Sequence, residues 1–120
     1  MKPVNQTKFG MEEGNCFEAC LASIFECDIG DIPVFKGSLW FSDLQEWLYT
    51  KELYYIEIEA RTFCDLSIKG YHIINGDSPR LNCQHSVVGY NCKMIHDPHP
   101  DKSFFKGEPK TYGLFCGYFK

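Results

Sequence analysis

Apolar residues change their spacing once along this chain, and that change limits the folds open to it. Up to about residue 51 they recur every three or four positions, and from residue 52 they alternate. Phe17, Leu21, Ile24 and Phe25 share one face of a helix predicted over 15–26, with Asn15 as N-cap and Glu18 three residues on, as in a capping box. "DIGDIP" (28–33) breaks it with Gly30 and Pro33. A second helix over 38–51 carries Leu39, Trp40, Leu44, Trp47 and Leu48 on one face, with Ser42 and Asp43 outside. Strands are then predicted at "ELYYIEIEA" (52–60), "GYHIING" (70–76), "QHSVVGY" (84–90), "CKMIHD" (92–97) and "YGLFCGYF" (112–119), with a tight turn near Asn91. Helices followed by strands predict an α+β fold: N-terminal helices packed on a mostly antiparallel sheet of four to five strands, in one domain over 1–120.

Composition narrows the partners. The formal charge is −4, and no two Lys or Arg residues are adjacent, which argues against nucleic acid or an anionic membrane as partner. No apolar run approaches the roughly 18 residues of a membrane helix, and "MKPVNQTKF" is no signal-peptide core, so a cytoplasmic location is expected. Seven cysteines cannot all pair within one chain, and none forms a CxxC motif, so reduced thiols are expected.

One of those cysteines opens the first helix. Cysteine is a mediocre helix former. The first turn is also where unpaired N–H groups and the helix dipole stabilise a thiolate. A base for Cys16 is offered by the hairpin. If a three-residue loop is centred on Asn91, His85 falls opposite Asp97; if the turn is Tyr90 and Asn91, Asp97 is one position out of register. In both cases an imidazole and a carboxylate come within hydrogen-bonding reach. A thiol at a helix N-terminus and a His paired with an Asp are the parts of a cysteine nucleophile. Gln6 offers a side-chain amide for the developing oxyanion beside the backbone N–H of Cys16, and Gly14 allows a substrate backbone to approach.

"Q…GNCFEACLAS" followed by "GDSPR…QHSVVG…MIHDPHP" resembles the papain-like cysteine peptidases, and within them the small C39-like peptidases of bacteria and phages. The resemblance runs from Gln6 to about Pro100. It implies a minimal papain-like fold with Cys16 as nucleophile, His85 as base, Asp97 as orienting residue and Gln6 as oxyanion donor. Gln6 stands ten residues before Cys16, farther than is usual in the family. The expected activity is thiol hydrolysis of a peptide, isopeptide or related amide bond in a peptide or protein substrate, with no cofactor and no metal. Acyl transfer or glutamine deamidation by the same triad, and a non-catalytic binding module that sequesters a host factor, are the alternatives.

Other features have two readings each. Cys20, one turn after Cys16, is a core residue or a resolving thiol. Cys83, His85, His96 and His99 can be drawn as a zinc site, although their spacing matches no common pattern. "GDSPR" (76–80) is a turn at the cleft rim, where Arg80 meets a substrate carboxylate or only solvent. Trp40 and Trp47 are expected in the core, and "EIE" (57–59) on the wet face of an edge strand.

Overall fold

The structure, a computed structural model, describes residues 1–61 and 68–119. Cys64 lies outside them. Helices α1 (Cys16–Phe25) and α2 (Trp40–Tyr49) come first, joined through a 3-10 turn at Ile29–Asp31. Five strands follow: β1 (Leu53–Glu59), β2 (Tyr71–Asp77), β3 (Gln84–Tyr90), β4 (Lys93–His96) and β5 (Thr111–Gly117). They form one sheet in the order β1-β5-β2-β3-β4, with every neighbouring pair antiparallel. The fold is α+β, as the change of apolar period requires.

The helices bury their apolar faces on the sheet. Leu21 and Ala22 of α1 and Leu44 and Leu48 of α2 meet Tyr55, Ile73 and Val88. Phe17 and Phe25 extend this core edge-on against Trp40, Trp47, Tyr55 and Phe115. Aromatic pairs in such tilted geometries add to the burial of area. Trp47 is therefore a core residue, as expected. Trp40 packs on Phe17 too but also reaches a cleft wall.

Two local expectations need correction. Asn15 precedes α1, yet its side chain makes no cap bond. Its Oδ1 accepts the N–H groups of Thr7 and Lys8, both at 3.0 Å, and Nδ2 donates to Thr7 Oγ1 at 2.9 Å. Glu18 closes no capping box either. It is buried, and Oε2 accepts the Phe35 N–H at 3.0 Å. Tertiary partners have taken both side chains from the local motif.

The hairpin register also differs. The turn is Asn91 and Cys92, both left-handed (φ 51° and 68°), and Tyr90 pairs with Lys93. Gly89 pairs with Met94, and a bulge after that pair puts His96 opposite Val88, so Asp97 is past the strand end and not opposite His85. Buried His72 holds the unusual Cys92 conformation by accepting its N–H on Nε2 at 3.0 Å.

Gly14 lines the cleft with Cys16, and the turn before it needs a glycine as well. A Cβ there would sit 2.5 Å from the Gly10 carbonyl oxygen, which accepts the Gly14 N–H at 3.1 Å. The glycine is required by the closed turn over 10–14, which folds the chain back before α1.

Candidate active site

Cys16, His85, Asp97 and Gln6 come from four separate segments, and three local devices bring them together. The lead-in to α1 runs back along that helix: Lys2 N–H donates to Ser23 O, and Val4 N–H to Ser23 Oγ. It then bridges to the exit of β4. His96 Nε2 donates to Val4 O at 2.8 Å and Gln6 N–H to Pro98 O at 2.9 Å. Finally the turn over 10–14 and the Asn15 clasp return the chain to Cys16. The long separation between Gln6 and Cys16 is taken up by this fold-back, and both residues line one cleft of about 640 Å³ with His85.

Asp97 is fully buried and carries three N–H donors. Oδ1 accepts His85 Nε2 at 2.7 Å and His99 N–H at 2.9 Å, while Oδ2 accepts Phe104 N–H at 2.7 Å. Burial alone pushes this carboxyl up. The hydrogen bonds from His85 and the two backbone amides outweigh it and hold the group below the usual carboxylate range. The chain beyond β4 turns inward to make these bonds, which is why the contact forms despite the shifted register.

With Nε2 on Asp97, His85 leaves Nδ1 for Cys16, which lines the same cleft. His85 is 4% exposed, and burial pulls its pKa down. Hydrogen bonds to Asp97 and Cys16 and their charges prevail and raise it from 6.5 to about 9. The imidazole is thus poised to hold a proton at neutral pH and to hand it on. Phe105 covers the ring edge-on at 6.2 Å between centroids. Gly76 permits this, because a Cβ there would sit 2.9 Å from the Phe105 ring.

Gln6 is 7% exposed, and Nε2 donates one hydrogen to Lys8 O at 2.9 Å. The amide keeps a second N–H. Because Asn15 is engaged elsewhere, the first-turn amides of α1 are left without a side-chain cap beside Cys16.

The remaining candidates separate. Cys20 is fully buried, and burial, with the charges of Cys16, Asp97 and Glu18 added, raises its thiol pKa well above the ordinary value. It packs in the core and is a poor resolving thiol. The zinc quartet does not converge: His85 is held by Asp97, His96 by Val4 O, and His99 Nδ1 accepts the Asp101 N–H. Among the described residues, no three His, Cys, Asp or Glu side chains are grouped to hold a metal ion. Arg80 lines the cleft but is paired with both Asp101 oxygens, at 2.9 and 3.1 Å. "GDSPR" is a turn held by Ser78 Oγ, which accepts the Arg80 and Leu81 N–H groups.

Glu57 and Glu59 are exposed on edge strand β1, as expected, but Glu57 also lines the cleft and accepts Tyr55 OH and Asn75 Nδ2. Asn75 Oδ1 in turn accepts Ser86 Oγ at 2.6 Å. Sequence reading missed this network, as well as Phe105 over His85 and the place of Glu18 in the cleft wall. Only partners distant in sequence distinguish these residues. No protein-family model matches the chain, and no match was found among curated proteins or solved structures.

Proposed function

We propose that this protein is a thiol hydrolase of the papain-like cysteine peptidase kind, cleaving a peptide, isopeptide or related amide bond. The reading is carried by one arrangement: a cysteine at a helix N-terminus sharing a cleft with a histidine that is locked on a buried carboxylate. In this reading the Cys16 proton already rests on His85 Nδ1, and Sγ attacks the substrate carbonyl. The oxyanion is met by the Cys16 backbone N–H and the free N–H of Gln6. His85 returns the proton to the leaving amine as the C–N bond breaks, and water then hydrolyses the thioester and restores the thiol. Asp97 keeps the imidazole in one orientation throughout. No step calls for a cofactor. A reducing, cytoplasmic setting suits the reading, since the six described cysteines are all free. Among the described residues no helix is long and apolar enough to cross a membrane.

Iodoacetamide labelling followed by peptide mass spectrometry tests the nucleophile. Cys16 should react faster than the other cysteines near neutral pH, and His85→Ala should remove that advantage. Uniform labelling would sink the reading. Incubation with a peptide library then separates outcomes by mass: shortened products for hydrolysis, amine adducts for acyl transfer, and a glutamine-to-glutamate change for deamidation. A partner captured equally by wild type and Cys16→Ala, with no covalent change, would point to the binding module.

A further inference from the structure

Among the described residues, two buried side-chain polar atoms lack a hydrogen-bond partner, Gln6 Oε1 and Glu18 Oε1. Both residues line the cleft that holds Cys16. Glu18 stands two positions after Cys16 in the first turn of α1 and is 3% exposed. Its other oxygen is occupied by Phe35 N–H. Buried polar atoms are seldom left unpaired in folded proteins, and each such exception asks for an explanation. Both of these are acceptors, so what the site lacks is a donor.

Charge selects the kind of donor. Glu57 is a second carboxylate on the cleft wall, and neither it nor Glu18 is ion-paired among the described residues. The three cationic side chains lining the same cleft are engaged, His85 with Asp97, Arg80 with Asp101 and Lys36 with the Gly14 carbonyl. The whole chain carries −4, which draws basic ligands toward it. An ammonium or guanidinium brings several N–H donors and a charge, and hydrogen bonds of that kind are the strong ones.

We propose that the cleft takes a lysine or arginine side chain flanking the amide attacked by Cys16, with Glu18 Oε1 and Gln6 Oε1 as its acceptors. This rests on the thiol reading above. The shielding of both oxygens from water makes the subsite selective, because an apolar or anionic side chain has no donor to offer there and a neutral one brings no charge. Entry of the basic group moves the side chains that close over the two oxygens.

The test uses tetrapeptide acyloxymethyl ketones that differ in one residue beside the reactive ketone: Lys, Arg, Leu or Glu. The readout is the rate at which each labels Cys16 in the full chain. The Lys or Arg probe should label at least ~10-fold faster than the Leu probe, with the Glu probe slowest, as one charge-assisted hydrogen bond would give. Glu18→Gln keeps an oxygen for Phe35 N–H and turns an amide NH₂ into the cleft, so the Lys-to-Leu ratio should fall toward one. A wild-type ratio near one, or a preference for Glu, overturns the proposal whether or not the variant folds. If Cys16 resists iodoacetamide as well as every probe, the thiol reading falls. Fluorescence anisotropy of Lys and Leu peptides on Cys16→Ala then decides the subsite separately: tighter Lys binding supports it and equal binding ends it.

Discussion

Asp97→Asn is the substitution most exposed to refutation, because three N–H groups converge on two oxygens in a fully buried site. Asparagine offers one oxygen and one NH₂. If the oxygen stays with His85 and His99, the NH₂ faces the Phe104 N–H, donor against donor. If it turns to Phe104, the NH₂ faces His85 Nε2. The ring must then carry its proton on Nδ1, the nitrogen Cys16 needs as an acceptor. Either way one or two hydrogen bonds to a charged group are lost, at about 1.5–3 kcal/mol each. That destabilises the fold by about 1.5–6 kcal/mol, against a total of roughly 5–15 kcal/mol for a domain of this size. The pKa of His85 should fall from about 9, since the Asp97 hydrogen bond and charge are among the causes holding it there. Urea unfolding measures the first effect, and the His85 ring C–H resonance, followed against pH by NMR, measures the second. Cys16 labelling by iodoacetamide should slow in parallel. A variant as stable as wild type with an unchanged His85 titration would refute the coupling of the pair.

Other consequences follow from the same geometry. His85 titrates at about 9 in the fold and near 6.5 when unfolded, so its contribution is fully present below 6.5 and is lost as pH rises through 9. That loss is worth about 3 kcal/mol, and chemical denaturation at a series of pH values should show it in wild type and much less of it in His85→Ala. His72 has the opposite sign: burial lowers its pKa, so folding should weaken as pH falls below 6.5, and the Cys92 amide that it accepts should exchange faster there. Phe105→Ala should open the His85–Asp97 bond to water and lower the rate of Cys16 labelling at a stability cost of about 1–3 kcal/mol; labelling as fast as in wild type would show the ring to be mere cover. Asn15→Ala should speed hydrogen exchange at Thr7 and Lys8 and leave Phe17 and Glu18 unchanged, whereas a capping role would do the reverse.

Much of the architecture was legible in the chain because its causes are local. The 3.6-to-2 change in apolar spacing depends only on which face each residue buries, and the helices and strands begin and end within a few residues of where that spacing puts them. The juxtaposition of His85 with Asp97 was legible for a looser reason. Neighbouring hairpin strands keep such residues close even when the turn shifts to Asn91 and Cys92 and a bulge intervenes.

Everything decided by competition among distant partners waited for the tertiary structure. The last strand, β5, inserts between β1 and β2, a choice that no local pattern encodes. Asn15 and Glu18 have the right types and spacing for a capping box, yet Thr7, Lys8 and Phe35 claim them, because a buried or clasped backbone N–H outbids a solvent-facing helix end. Gln6 reaches the cleft only through the fold-back at residues 8–15. Asp97 is held low by amides of a loop that sequence reads simply as polar. Residue types and periods determined which chemistry the chain carries. Tertiary packing alone decided which groups are left unpartnered in the cleft, since that depends on every other hydrogen bond in the molecule being made first.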